Sequence, residues 1–174
     1  MSISVPTFRR ALPADADEVW GIICDAKADM LARGSIQWGD NYPLRSTIDD
    51  DVAGGNAWVI ECSRGVAAYG VVQCEDEQAY SSIDGAWLTA GSRYAVVHRL
   101  AVASDCRGQG YASSFIDRAM QLARGCGCLS MRADTAADNQ AMLAIFARKG
   151  FVCCGKINYA EASRGERLAF ELML

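Results

Sequence analysis

VVHRLAVASDCRGQGYAS, residues 96–113, joins an apolar, β-branched run to a glycine-bearing turn and then to the start of a helical period. It also holds the only histidine of the chain, His98. Amides at a helix N-terminus have no intrahelical acceptor and can point at an anion. Arg107, Gly108, Gln109 and Gly110 place such amides between strand and helix, and glycine removes the side chain that would block close approach. The Lys-Ser/Thr pair of a nucleotide-hydrolase phosphate loop is missing, and so is the three-glycine spacing of a dinucleotide fingerprint. Spacing alone therefore leaves a structural turn and a phosphate site both open.

Working outward, Ala112, Phe115, Ile116, Ala119, Met120 and Ala123 recur at helical spacing and predict a helix from Gly110 to about Gly125. CLSMRAD then reads as a strand, NQAMLAIFARKG as a helix, and FVCCGKINYA and ERLAFELML as two further strands. Upstream, NAWVIECS and GVAAYGVVQC form a hairpin about Arg64 and Gly65. PADADEVWGIICDAKADMLARG has acids at a helix start, Val19, Ile22, Ile23, Ala26 and Met30 at helical spacing, and Gly34 as its stop. A short helix is expected over residues 45–53, before the Gly54-Gly55 break. Alternating strands and helices predict an α/β fold with a mixed central sheet flanked by helices, as one domain over residues 5–174.

Composition agrees with one globular unit: 174 residues, 51% hydrophobic and 22% charged. A formal charge of −4 argues against a general nucleic-acid surface. No apolar run reaches membrane-spanning length, and the N-terminus has the acids a targeting peptide avoids, so no membrane partner and a cytoplasmic location are expected. Eight cysteines then read as reduced thiols. The close pairs Cys126/Cys128 and Cys153/Cys154 lack the two-residue spacer of a metal knuckle, and no metal is expected.

The stretch Arg107, Gly108, Gln109, Gly110, Tyr111, Ala112 resembles the signature of the GCN5-related N-acetyltransferase (GNAT) superfamily: Arg or Gln, two residues, Gly, one residue, then Gly or Ala. RADTAADNQAMLAIFARKGF resembles a second landmark, with Asp134-Thr135 closing a strand and Asn139 starting a helix. FRRALPADADEVW is similar to the usual first strand and helix. The resemblance implies a sheet splayed at a cleft for acetyl-coenzyme A, with coenzyme A as product. It implies that Leu100, Ala101 and Val102 flank the pantetheine and acetyl group, that Arg107 to Ala112 cradle the pyrophosphate, and that Asn139 approaches from the other lip. Phe146 stands where many relatives have a tyrosine that protonates the leaving thiolate, and Phe cannot donate a proton. Tyr159, Tyr111 or water would have to substitute.

The implied activity is transfer of an acetyl group to a primary amine of a small molecule by direct attack on the thioester. A protein or peptide terminus as acceptor, or a catalytically silent acyl-coenzyme A binder, are the alternatives; a homodimer is compatible with the reading. His98 is the candidate base, because imidazole exchanges protons near neutrality. Strand alternation puts it on the face of Leu100 and Val102, with Arg99 on the opposite face as a surface residue or a contact to a substrate carboxylate. Trp38 and Tyr42, in SIQWGDNYP, are candidate walls of the acceptor pocket, with Asp40 as an attractor of amines. Trp87 has the same choice between pocket and core, and Glu61, Glu75 and Glu77 read by default as solvated carboxylates.

Overall fold

A computed structural model describes residues 5–161 and 164–174. Strand β1 (Thr7–Arg10) leads through a short 3-10 turn into α1 (Ala16–Ala32), and α2 (Arg45–Ala53) follows an irregular connection. The hairpin β2 (Ala57–Cys62) and β3 (Gly65–Gln73) comes next, then a two-residue strand β4 (Asp84–Gly85) and the long β5 (Tyr94–Val102). Helix α3 (Tyr111–Gly125), β6 (Ser130–Thr135), α4 (Gln140–Lys149), β7 (Val152–Asn158) and β8 (Glu166–Met173) complete the chain. The predicted order holds; β4 escapes sequence reading because two residues in SSIDGAWL carry no alternation to detect.

All eight strands form one mixed sheet in the order β1-β2-β3-β5-β6-β8-β7-β4. Only β5 and β6 run parallel, and α3 is the crossover between them. One face packs against α3 and α4 through Phe115, Ile116, Met131, Phe146 and Phe170. The other packs α1 and α2 against β2 and β3 through Val19, Ile23, Ile48, Val59, Tyr69 and Val71. Each such large apolar side chain contributes about 1.5–3 kcal/mol when buried. Gly70 of β3 lets α3 come close: a Cβ there would stand 2.6 Å from the Phe115 ring.

Two local features shape the site. Strands β5 and β6 pair from Tyr94↔Ser130 to Val97↔Ala133 and then part, although β5 runs on to Val102. Beyond Val97, the β6-facing edge of β5 has no strand partner among the described residues. In addition, β5 carries a bulge: His98 pairs with Val71 and Ala101 with Tyr69, so Arg99 and Leu100 together oppose Gly70. Arg99 takes φ 52, a left-handed conformation a non-glycine residue adopts only under local constraint.

The extra residue reverses the parity of the strand. Val97, Leu100 and Val102 face α3 and α4, whereas His98 lies on the side of Val71 and Ala101. The expectation that His98 shares a face with Leu100 and Val102 is thus corrected, because simple alternation ignores a bulge. Arg99 is also not a surface residue: its side chain is 11% exposed and turns to α2.

Candidate active site

Where β5 and β6 part, a cleft opens, lined by Val97 to Leu100 on one strand and Ala133 to Thr135 on the other. Met142 and Phe146 of α4 close one side; Trp38 and Tyr42 of the α1–α2 connection, with Tyr159, Arg164 and Arg167 from the β7–β8 region, close the other. His98, Arg99, Leu100, Asn139, Phe146, Trp38 and Tyr42 all line this cleft. Ala101 and Val102 continue β5 toward the signature turn without lining this cleft.

His98 is buried, and its Nε2 stands 3.1 Å from Oε2 of Glu77, in the segment after β3. The line between them is poorly aligned for a hydrogen bond, and Nε2 is without another partner among the described residues. The imidazole nevertheless holds the Glu77 carboxyl below its usual range, aided by the Ala79 amide and opposed by burial. Glu77 is therefore not a solvated carboxylate but the partner of the candidate base. Glu61 instead bonds Arg9 at the sheet edge, and Glu75 is exposed and outside the cleft lining.

Arg99 makes a two-pronged pair with Asp51 of α2, at 2.8 and 2.6 Å, and donates to the Tyr42 hydroxyl at 2.7 Å. Tyr69 donates to the same carboxylate at 2.7 Å. This buried cluster fixes the bulge and the wall carrying Tyr42. Trp38 is buried against the α1 and α2 core and also lines the cleft. Asp40 is exposed and does not line the cleft. The acid that does is Asp134, which accepts from Tyr80 at 2.8 Å and Tyr159 at 2.6 Å. Burial and that carboxylate push the Tyr159 phenol well up, so it holds its proton and is a poor acid for a leaving thiolate. Trp87 belongs to the fold: it donates to the Tyr80 carbonyl and stacks on Arg132.

Gln37 was not singled out by sequence reading. Its side-chain carbonyl accepts from Thr135 Oγ1, the Ala136 amide and Asn139 Nδ2, at 3.1–3.2 Å, and ties the α1–α2 connection across the cleft mouth. Asn139 also caps α4, accepting from Met142 at 3.3 Å. Position in an irregular polar segment carried no signal for Gln37.

The signature turn lies farther along β5. Gly110 is the N-cap of α3 with φ 84, and Gly108 has φ 73. A Cβ on either would meet nothing within 4 Å, so there is open space in front of the turn. The amides of Gly108, Gln109 and Gly110 have no main-chain partner among the described residues. Free amides at a helix N-terminus, backed by open space, suit a pyrophosphate, and the unpaired edge of β5 suits an extended amide-bearing arm. The residues present thus fit acetyl-coenzyme A. Arg107 pairs with Asp29 of α1, and Tyr111 packs beside Cys62, outside the cleft lining, so Tyr111 does not stand where a thiolate acid is needed.

A parallel pair splayed after a bulged strand, followed by a glycine turn capping a helix, defines the acetyltransferase class of α/β folds. The model of the acetyltransferase (GNAT) family matches residues 32–151, and the chain belongs to that family. A GNAT-family acetyltransferase from Streptococcus agalactiae is 32% identical, with a TM-score of 0.86 over 100% of this chain and 98% of that one. One from Listeria monocytogenes is 20% identical, with a TM-score of 0.76 over 97% and 95%. A ribosomal-protein-alanine N-acetyltransferase from Brucella melitensis, 19% identical with a TM-score of 0.69 over 97% and 99%, shares the fold. No match was found among curated proteins.

Proposed function

We propose that this protein acetylates a primary amine of a small molecule, with acetyl-coenzyme A as donor. The observation that carries the reading is the cleft between the parted strands, with His98 on its wall beside Glu77, and with Gln37, Trp38 and Tyr42 of the α1–α2 connection lining it opposite Arg164 and Arg167. Side chains from both connections crowd the cleft, which favours a small acceptor over a peptide. Bound acetyl-coenzyme A supplies an acetyl group activated as a thioester.

The chain's own residues then have separable tasks. A lysine-like amine has a reference pKa of about 10.4 and arrives charged. His98, with Nε2 directed at Glu77, keeps Nδ1 free of that partner to take the proton, directly or through water. The Glu77 carboxylate stabilises the imidazolium so formed. An amide of the bulged strand at Leu100 or Ala101 is a dipole fixed before charge develops, suited to a carbonyl oxygen that becomes negative. Phe146, packed against Phe151 and Phe170, gives no proton. A thiol with a reference pKa of about 8.5 would be a tolerable leaving group without an acid from the protein.

The test is a thiol-release assay with acetyl-coenzyme A against amines, polyamines, amino acids and short peptides. Release with small amines is expected. Release with peptides alone would transfer the reading to peptide acetylation, and tight coenzyme binding without release across the panel would mark a silent binder.

A further inference from the structure

Arg167, at the start of β8, is 6% exposed and lines the cleft that holds His98. A guanidinium has five N–H donors. Here one terminal nitrogen donates to the Glu166 carbonyl and the other to the Gln37 carbonyl, both at 3.0 Å. No carboxylate lies within ion-pair distance among the described residues. Arg99 is paired with Asp51, and Asp134, which accepts from Tyr80 and Tyr159, favours the charged form of Arg167 only from beyond ion-pair distance. Carbonyl oxygens satisfy donors but neutralise no charge, and a buried cation without a directly paired carboxylate is costly.

Arg164 adds to the same wall. Its guanidinium lies 3.3 Å from the centroid of Tyr159 and 4.2 Å from that of Tyr42. Its ion-pair partner among the described residues, Glu161, is 3.9 Å away and 66% exposed, a weak and solvent-screened pair, and Glu77 lies near enough to feel its charge. Arg164 and Arg167 thus line one side of the cleft with Asp134 as the one carboxylate among the lining residues. Converging cations in a partly closed space attract an anion.

We infer that the acceptor carries a carboxylate as well as its amine, and that Arg167 is the specificity-determining residue that reads it. The inference rests on the acetyltransferase reading above. A carboxylate offers two coplanar oxygens that match the fork of a guanidinium, and Arg167 has donors left after its two carbonyl bonds. Its anchoring to Glu166 and Gln37 fixes the fork in advance. Arg164, held flat by two rings, forms an adjacent positive wall.

The experiment crosses substrate with residue. Glycine, β-alanine and a set of L-amino acids are assayed by thiol release, each beside its own carboxamide, with taurine and aminomethylphosphonate as tetrahedral anions. In the wild type at least one carboxylate is expected to exceed its amide tenfold or more in kcat/KM. Arg167→Gln is expected to lower kcat/KM for the acid, through KM, at least tenfold more than for the amide, and Arg167→Lys to restore part of the difference. Equal use of acids and amides by the wild type would overturn the inference, as would equal losses on both in folded Arg167→Gln, which mark a structural arginine. Faster turnover of the tetrahedral anions would overturn the carboxylate assignment. Calorimetry of the same amino acids, with and without coenzyme A, separates the two readings. If nothing releases thiol yet amino acids bind and Arg167→Gln removes binding, the anion site stands and the acetyltransferase reading falls; amino acid binding indifferent to Arg167 removes the anion site.

Discussion

Nε2 of His98 lies 3.1 Å from Oε2 of Glu77, with the side chains 7% and 22% exposed. They come from neighbouring positions in space, β5 and the segment leaving β3, and the His98 ring also stands 6.4 Å from that of Tyr80. Because His98 holds the Glu77 carboxyl below its usual range, Glu77 is an anion at neutral pH and can only accept. This pair has the form of a base and its orienting carboxylate.

Replacing His98 by Gln keeps hydrogen-bonding capacity but removes titration. The chemical step is expected to slow about a hundredfold or more, with acetyl-coenzyme A affinity retained. Comparable rates in the wild type and a folded His98→Gln would reassign His98 to positioning or to the fold.

Gly110, at φ 84, caps α3 with open space before it. In Gly110→Val the side chain enters that space and the backbone is strained in a conformation L-residues rarely adopt. Calorimetry of the folded variant should read acetyl-coenzyme A affinity weaker by tenfold or more. Unchanged affinity would remove the turn from the pyrophosphate site.

Phe146 lines the cleft where many relatives place a tyrosine. Phe146→Tyr is expected to fold and to keep or raise turnover, since the hydroxyl adds a proton donor near the leaving thiol. A folded variant whose chemical step is more than tenfold slower, about 1.4 kcal/mol, would show that a phenol there is not used.

Glu171, buried on β8, pairs with Arg132 at 3.1 Å, while Arg132 is sandwiched 3.8 Å from the Tyr94 centroid and 4.2 Å from that of Trp87. Burial opposes its ionisation, but Ser130, Thr89 and Arg132 outweigh burial and lower its pKa. A lowered folded-state pKa contributes stability above the unfolded value, about 4.3, which is lost as pH falls through the folded one. Glu171→Gln leaves Arg132 buried and unpaired and should cost about 3–5 kcal/mol at pH 7. Denaturant titrations should also give the variant a shallower loss of stability below pH 4 than the wild type.

The order of strands and helices, the capping glycine at 110 and the N-cap at Asn139 were legible in the sequence because local physics sets them. Periodicity, helix termini and turn glycines act over a few residues. The bulge was not legible: HRLAV has ordinary alternation, and only the pairing of β5 with β3 places two residues opposite Gly70 and turns His98 from the face of Leu100.

What the sequence by itself determined is thus the succession of elements, the turn that can hold an anion, and the kinds of side chain on β5. The tertiary structure alone decided their partners. Glu77 became the companion of His98, Asp51 took Arg99 out of solvent, and Gln37 and Arg167, far apart in the chain, came to share a hydrogen bond at the cleft. Glu77 and Gln37 lie in connections, Arg167 lies near a strand end and Asp51 lies in the run of three acids on α2, so no repeat marks which of them turns inward. Their roles arise from contacts between segments distant in sequence, and such contacts exist only once the sheet has closed around the gap between β5 and β6.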